Sequence, residues 1–573
     1  MPGPLPVPAV EIIVDGSTLA QEYVAQLLDV QVRDNLLLPD TAVVRFRDPL
    51  GEFIERHPLQ PGVVIEIKMG ARKDNGTTRV FIGEVVALEP EFGEGDCVIS
   101  ARAYDRGHRL LANRRSQTFQ DQKAEDMISS VIGRVGLNAG TMESTTAVHP
   151  FFQQSMETDW EFCRRLAAMN DFELVVDDRS VNFYRREAEA PVAVLEWGGT
   201  LLTFKPRLSA MGQVEAVTVN GHDPRSRQDL AATASTPQMA SRSGAVDKRS
   251  ALVGKVNANG RVVVGDRVVE TQAEATQVAQ TTLDRLASTF VEASGKAVGN
   301  PRLRARKTVE IKAVGSFSGQ YVLSETTHTF RGGSEYTTGF VISGRTGHGF
   351  SDLTRNGEGR AWSSSLVLGV VTNNNDPEQL GRVRVTFPQL GPTMEGWWAR
   401  VATLNAGDDR GIFMLPEVND QVVVAFENGD PRRPFVIGSL YDGQAKVPDD
   451  MLDPTREKAA FGLKSDHKVH VEGQQEMKLR SHEKMTVLVD RDAQGGTGDF
   501  LLDAKGNIED KAAQNIKGTA GQSIELTANQ SVTIKGTGSV TVETSGSLKL
   551  KGSMIDIQSS GPVNVKGSII NLG

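Results

Sequence analysis

Cysteine, aromatic residues and long apolar runs are all scarce in this sequence. Its 573 residues include two cysteines, Cys97 and Cys163. Two are too few for a disulfide framework, and with no CxxC pair the chain reads as made for a reducing compartment. Aromatics are 6% of the residues, which leaves the cores to aliphatic and small side chains. No apolar run approaches the roughly 18 residues that cross a bilayer as a helix. The opening Met1-Pro2-Gly3-Pro4-Leu5-Pro6 has neither the basic nor the apolar region of a secretory leader, so synthesis in the cytoplasm without a signal peptide is expected. Positive charge is short as well. Lys and Arg number 63 against 72 Asp and Glu, a formal net charge of −9, and this sign argues against nucleic acid as a partner.

The familiar local signatures of catalysis are missing too. There is no GxxxxGK[ST] phosphate loop and no GxSxG elbow. His482-Glu483 opens like a zinc-protease motif, but Thr486 stands where the second histidine belongs. His467 and His470, near Asp466, are half of a metal site at best; with alternating flanks they read as polar residues on a strand edge. Cys163 falls in an amphipathic segment opened by the capping box Thr158-x-x-Glu161, and it reads as a small buried hydrophobe. No enzyme activity, cofactor or metal is expected.

At about 150 residues per domain the length accommodates three or four domains. The most regular of them is the last. From Phe461 on, aliphatic doublets recur every eight residues: Phe461/Leu463, Val469/Val471, Met477/Leu479 and Met485/Val487. After a Gly- and Asp-rich interruption at 490–499 the octad resumes at Ile516, then Ile524/Leu526, Val532/Ile534, Val540/Val542 and Leu548/Leu550. One residue then drops out, giving Ile555/Ile557 and Val563/Val565 before the end at Ile569-Ile570-Asn571-Leu572-Gly573. Members of a doublet lie two apart and share one face of an extended chain. Glycines such as Gly536, Gly546 and Gly552 provide the turns between rungs. A fixed period signals stacked architecture. Two inward residues per rung cannot enclose a core alone, so either three successive octads make the sides of one coil, or three chains each give one side of an intertwined prism. The period favours the prism. In either case the doublets from Val469/Val471 to Val563/Val565 are expected to be the buried core.

Ahead of the octads, 366–443 is dense in short β-runs and tight turns and has the length of a small five-stranded barrel. It contains DPEQLGRVRVTFP from Asp376, WWARV from Trp397 and LPEVNDQVVVAFENGDPRRPFVIGSLYDG from Leu415, with the hairpin cue Asn428-Gly429. Followed by the octads, these segments resemble the OB-fold collar of VgrG and contractile-phage central-spike proteins. Upstream, Tyr104-Asp105-Arg106-Gly107-His108-Arg109 leads to a helix expected over 124–135 with Gly136 as its stop. A later helix opens at Thr271-x-x-Glu274, runs along Ala275, Val278, Ala279, Leu286 and Phe290, and is expected to stop at Gly295. Gly319-Gln320-Tyr321-Val322 follows. This front region is similar to the late-control-protein hub of the same family.

The resemblance implies a mainly β protein with α/β insertions. Its parts would be barrel-like hub modules, an OB-fold collar and a C-terminal intertwined triple-stranded β-helix needle (a β-prism), in a homotrimer. The hub would occupy 1–345, with modules around 10–110 and 191–345 flanking an insertion at 111–190. A linker at 346–365, the collar at 366–443, a second linker at 444–460 and the needle at 461–573 complete the order. The implied role is the spike of a contractile injection system, the hub capping an Hcp-like inner tube among baseplate components and the needle touching the target membrane transiently. Residues Ile569, Ile570, Asn571, Leu572 and Gly573 would seat a PAAR-type tip protein, and the assembled particle would act outside the cell or inside a target cell. A free, phage-tail-like particle is preferred to a VgrG of a membrane-anchored type VI system. A glycan-degrading or adhesive fibre is the alternative from another class, and it requires a carboxylate pair about 5 to 9.5 Å apart in a cleft. His108 and His328 read as packing or turn residues. Arg382, Arg384, Arg432 and Arg433 read as solvated turn and strand faces, and 225–253 reads as an exposed loop.

Overall fold

The computed structural model describes residues 7–48, 58–71, 76–93, 96–186, 189–224, 226–238, 241–266, 268–332, 335–343, 366–389, 394–448, 462–465, 468–489 and 498–572. Both expected linkers fall largely or wholly outside the described residues, as do Phe461, Asp466, His467 and Gly573. The chain divides into two compact units, Met1–Gly462 and Leu463–Gly573.

In the first unit, strands that alternate buried and open positions assemble into one eleven-stranded sheet. Its order runs Leu201–Leu208, Val291–Val298, Glu335–Ile342, Glu325–Arg331, Leu27–Asn35, Thr41–Arg47, Asp96–Tyr104, Gly76–Gly93, Val64–Ala71, Pro8–Val14 and Ser17–Thr18. The joint is the antiparallel pairing of Glu325–Arg331 with Leu27–Asn35, Glu325 opposite Asn35 and Arg331 opposite Asp29. The early and late β-regions of the first unit therefore share a sheet, and Phe330 and Tyr336 pack into the same core as Val30, Val32, Ile65, Ile67 and Met69. Each such buried aliphatic or aromatic side chain contributes about 1.5–3 kcal/mol.

Between these regions lie the ribbon Arg114–Gln122 with His149–Thr158, a three-stranded sheet, and two helices. Helix Ala124–Gly133 ends two residues before the expected 135 and buries Ala124, Met127, Ile128 and Val131, four residues of the stripe expected to end at Val135, together with Ile132. Gly136, just beyond it, has a φ of +74° that a side chain would strain. Helix Asp159–Asn170 starts with the expected capping box: the Thr158 hydroxyl accepts from the Glu161 N–H, and the Glu161 carboxylate from the Thr158 N–H.

Two expectations are corrected here. The later helix spans Gln272–Ser288, and Gly295 is not its stop. Gly295 lies inside strand Val291–Val298, where a Cβ would come 2.2 Å from the Phe340 ring. It is glycine because an aromatic ring occupies the space, a reason that spacing along the sequence does not reveal. The supposed loop at 225–253 contains strand Gln228–Ala234 and helix Arg249–Val256. That strand pairs antiparallel with Ala216–Asp223, and Ala245, Val246 and Val253 are buried. Most of strand Gln228–Ala234 is nevertheless open, with Ala234 its one buried residue.

Residues 367–440 form a closed barrel of five strands, in the order Val367–Asn373, Arg382–Thr386, Ala399–Val401, Pro434–Leu440 and Gln421–Phe426. Its interior is filled by Val371, Val383, Val385, Phe387, Ala399, Val422, Val424 and Val436. Asn428 and Gly429, both at positive φ, turn the chain between the last two strands. Among the described residues no helix is long and apolar enough to cross a membrane.

The second unit is built differently. Its described residues form no helix and no strand paired within the chain. Extended segments are separated by bends at 505, 513, 521, 529, 537 and 545, the octad interval. The next bends, at 553 and then 560, include the one shorter step, as the doublet Ile555/Ile557 requires.

Candidate functional site

The tail doublets are the residues on which the sequence reading turns, and in the single chain they lie exposed. Val471, Val487, Leu526, Ile534 and Ile557, all read as needle-core residues, are 66%, 65%, 71%, 70% and 68% exposed. The other second members, Leu479, Val542, Leu550 and Val565, are open to the same degree. The first members, Val469, Met477, Met485, Ile524, Val532, Val540, Leu548, Ile555 and Val563, are exposed as well, but each less than its companion. Every rung therefore repeats one local geometry. The physical reason for the exposure is that one extended segment has no second side to cover its doublet.

Among the described residues the backbone between bends makes no ladder with another part of the chain, which leaves its N–H and C=O groups open to a partner strand. A row of exposed aliphatic side chains on unpaired extended backbone is a surface that monomeric proteins rarely keep bare. At the end Ile569, Ile570 and Leu572 are also exposed.

In the first unit the chemistry lies in buried ion pairs. Asp34, wholly buried on strand Leu27–Asn35, is bound by Arg304 and accepts from Arg306 Nη2 at 2.6 Å. Burial works to raise its pKa, but the two guanidinium groups outweigh it and hold Asp34 at about 2. Beside them, Asp40 N–H donates to Asp105 Oδ2 at 2.6 Å, and Gly107 N–H to Asp105 Oδ1 at 2.7 Å. Burial is the main cause that lifts Asp105 to about 7 and also raises Asp40, which has Asp34 and Asp105 as anionic neighbours. The cavity here, lined by Asn35, Asp40, Asp105, Trp160 and Arg306 among others, has a volume of only about 10 Å³. This is room for a water at most.

The histidines and Cys163 fall where the sequence put them. His328 is fully buried, with Nδ1 2.9 Å from the Tyr336 hydroxyl and Nε2 2.9 Å from the Leu303 carbonyl. Burial pushes it down to about 3, so it packs as neutral imidazole. His108 closes a turn through Nδ1, 2.7 Å from the Asp105 carbonyl. Cys163 is fully buried and its thiol is pushed well up by desolvation, the opposite of what a nucleophile needs.

The barrel arginines are a further correction. Arg382 forms a bidentate pair with Asp376, at 2.7 and 3.0 Å. Desolvation opposes this charge, but the Arg382 hydrogen bonds hold Asp376 at about 2. Arg384 Nη1 pairs with Glu395 at 2.8 Å. Arg432, its side chain 11% exposed, meets Asp430 at 2.8 Å and both Glu270 and Glu274 of the hub at 3.6 Å, while Arg433 reaches Glu270 at 3.5 Å. Phe151 of the hub stacks on Trp397 of the barrel, ring centroids 5.7 Å apart. These arginines are thus structural clamps; their partners are remote in sequence or reached around a turn, so composition alone makes them look solvated.

Comparison with known proteins gives two family matches. The type VI secretion system/phage-baseplate injector OB domain family matches residues 367–441, the span of the closed barrel. The Alg8 N-terminal domain family matches residues 6–332, more than half of the chain. The chain belongs to the Alg8 N-terminal domain family, and its barrel is similar to the injector OB domain of type VI secretion systems and phage baseplates. Among curated relatives, the type VI secretion system spike protein VgrG1a of Pseudomonas aeruginosa is 30% identical over 93 residues, 16% of this chain and 14% of that protein. VgrG5 of the same organism is 35% identical over 89 residues, 15% of this chain and 11% of its own length. The chain thus spans about a seventh or less of the length of these spike relatives. A 43 kDa prophage MuSo2 tail protein from Shewanella oneidensis is structurally similar at a TM-score of 0.47, with 13% identity, over 58% of this chain and 98% of that one.

Proposed function

We propose that three copies of the chain form the central spike of a contractile injection machine. In this reading the front unit caps an Hcp-like inner tube within the baseplate, and the tail is the needle that breaches a target envelope when the sheath contracts. The observation that carries it is the tail. Its doublets keep a single register from Val469 to Val565 apart from one interruption and one shortened step, yet in the single chain they stay exposed on unpaired backbone. Three chains wound together bury those doublets along an axis and satisfy the backbone between strands. The role is mechanical, without a catalytic step or cofactor. The terminal Ile569, Ile570, Asn571 and Leu572, with Gly573, seat a PAAR-type tip. Light scattering on the full chain tests this: three times the 62.0 kDa subunit mass is expected, and a stable monomer at micromolar concentration overturns it.

A second reading concerns the machine. The curated relatives are spikes of type VI secretion systems, which favours a membrane-anchored apparatus over the free particle preferred from the sequence. A gene neighbourhood with membrane-complex components supports the former, and one with sheath, tube and ATPase genes alone supports the latter.

A further inference from the structure

The charges of the tail follow a rule that the doublets do not require. From Lys464 to Gly573, twelve pairs of charged residues stand eight apart, and all twelve are opposite in sign. At a spacing of seven the same stretch has five like-signed pairs and two opposite, and at nine it has two like-signed pairs. The rule therefore belongs to the octad and not to general mixing of charge. It forms threads of alternating sign at one phase of the repeat, such as Lys468, Glu476, Lys484 and, in the distal part, Lys535, Glu543, Lys551.

Residues eight apart occupy equivalent places in successive rungs, so alternation matters only if those places become neighbours. The single chain does not bring them together. Its own contacts, Lys478 to Glu476 at 3.0 Å and Lys511 to Glu509 at 2.5 Å, join residues two apart. Among the described residues no ion pair joins Glu543 to Lys535 or Lys551. Side chains directly opposite on adjacent strands lie about 4.5–5.5 Å apart, where opposite charges stabilise and like charges repel. Three identical parallel chains aligned without stagger would set Lys535 on Lys535 and Glu543 on Glu543. A stagger of one octad sets each residue against its opposite.

Building on the trimeric reading above, we infer that the tail is a self-recognition surface with a fixed register. A second copy of this chain lies alongside the first, parallel and displaced by one octad, so that position n of one chain adjoins position n+8 of its neighbour. The threads are the element that sets this register. Within an evenly spaced run the doublets do not, because aliphatic pairs at equal spacing are satisfied by any whole-octad displacement.

Cysteine cross-linking of the full chain tests the register. Thr533 and Thr541 lie between the members of successive doublets, on the face opposite to them, and the native Cys97 and Cys163 are buried. Strand neighbours fall within the Cα separation that a disulfide spans. Under mild oxidation the double variant Thr533→Cys/Thr541→Cys is expected to give reducible interchain species, and neither single variant is. Cross-linking by the single variants, or none in the double variant while scattering reports a trimer, overturns the staggered register. A monomer by scattering overturns the spike reading itself and the register with it. Thermal unfolding of the trimer gives a second readout. Glu543→Lys is expected to lower the midpoint, and Lys535→Glu/Glu543→Lys/Lys551→Glu, which restores alternation, is expected to recover it; a reversed thread no better than Glu543→Lys overturns the proposal.

Discussion

Arg432 on the barrel stands 3.6 Å from Glu274 in the first turn of helix Gln272–Ser288. Asp430, Glu270 and Glu274 all face this one guanidinium, whose side chain is 11% exposed. Arg432→Ala takes the guanidinium from Asp430 and Glu274 and leaves Glu270 to Arg433 alone, and it is expected to cost about 3–5 kcal/mol, as removal of one partner from a buried ionic cluster does. Urea unfolding of the full chain measures it. Adding Glu270→Gln and Glu274→Gln should return part of the loss, since the orphaned negative charge is then smaller.

Gly295→Ala probes the hub at a place with no room for a methyl group. The added Cβ would sit 2.2 Å from the Phe340 ring, and overpacking of this kind costs about 1–3 kcal/mol. A lowered denaturation midpoint is expected, with Phe340→Leu in the same chain relieving part of it.

The acid cluster gives the front unit a pH dependence of known sign. Asp105 is raised to about 7 from an ordinary 3.8, mainly by burial. A raised carboxyl contributes stability that is complete below its unfolded value and lost as pH rises through the folded one. The thermal midpoint is therefore expected to fall between about pH 4 and 7.5. Asp105→Asn, which cannot ionise, should flatten that slope. Asp34, held at about 2, acts the other way: its contribution is present above about pH 4 and lost as pH falls toward 2.

Val540→Asp/Val542→Asp places six charges on the axis of a three-chain needle. Because unpaired buried carboxylates are far costlier than the aliphatic pair they replace, scattering should report the 62.0 kDa monomer. The circular dichroism of the front unit should be unchanged. An intact trimer would show that these two residues do not face the axis.

Local signals were legible in the sequence and long-range ones were not. The stripe Ala124, Met127, Ile128, Val131 and the box Thr158/Glu161 are set by spacings of three and four residues, and both are present in the structure. The five-stranded barrel was legible because its strands are short, alternating and separated by tight turns. What spacing could not show is which distant residues meet. Asp34 with Arg304, Gly295 with Phe340 and Arg432 with Glu274 are contacts across the fold. The arginines were misread as solvated for this reason. The stretch at 225–253 was misread because its Ser- and Ala-rich composition suits an open strand such as Gln228–Ala234 as well as a loop. In the tail the period of doublets such as Leu526 and Ile534 was plain, but their exposure in the single chain does not say what covers them.

The strand joint in the hub also governs how the protein is made. Asn35 and Glu325 are 290 positions apart, yet they sit opposite each other in the sheet. Until the ribosome has delivered the later strand, Leu27–Asn35 has an open edge, and such an edge invites pairing with other nascent chains. Closure over so long a loop is slow. Production of this protein is therefore expected to depend on holding that early edge apart during translation, and truncations ending before Glu325 should accumulate as aggregates.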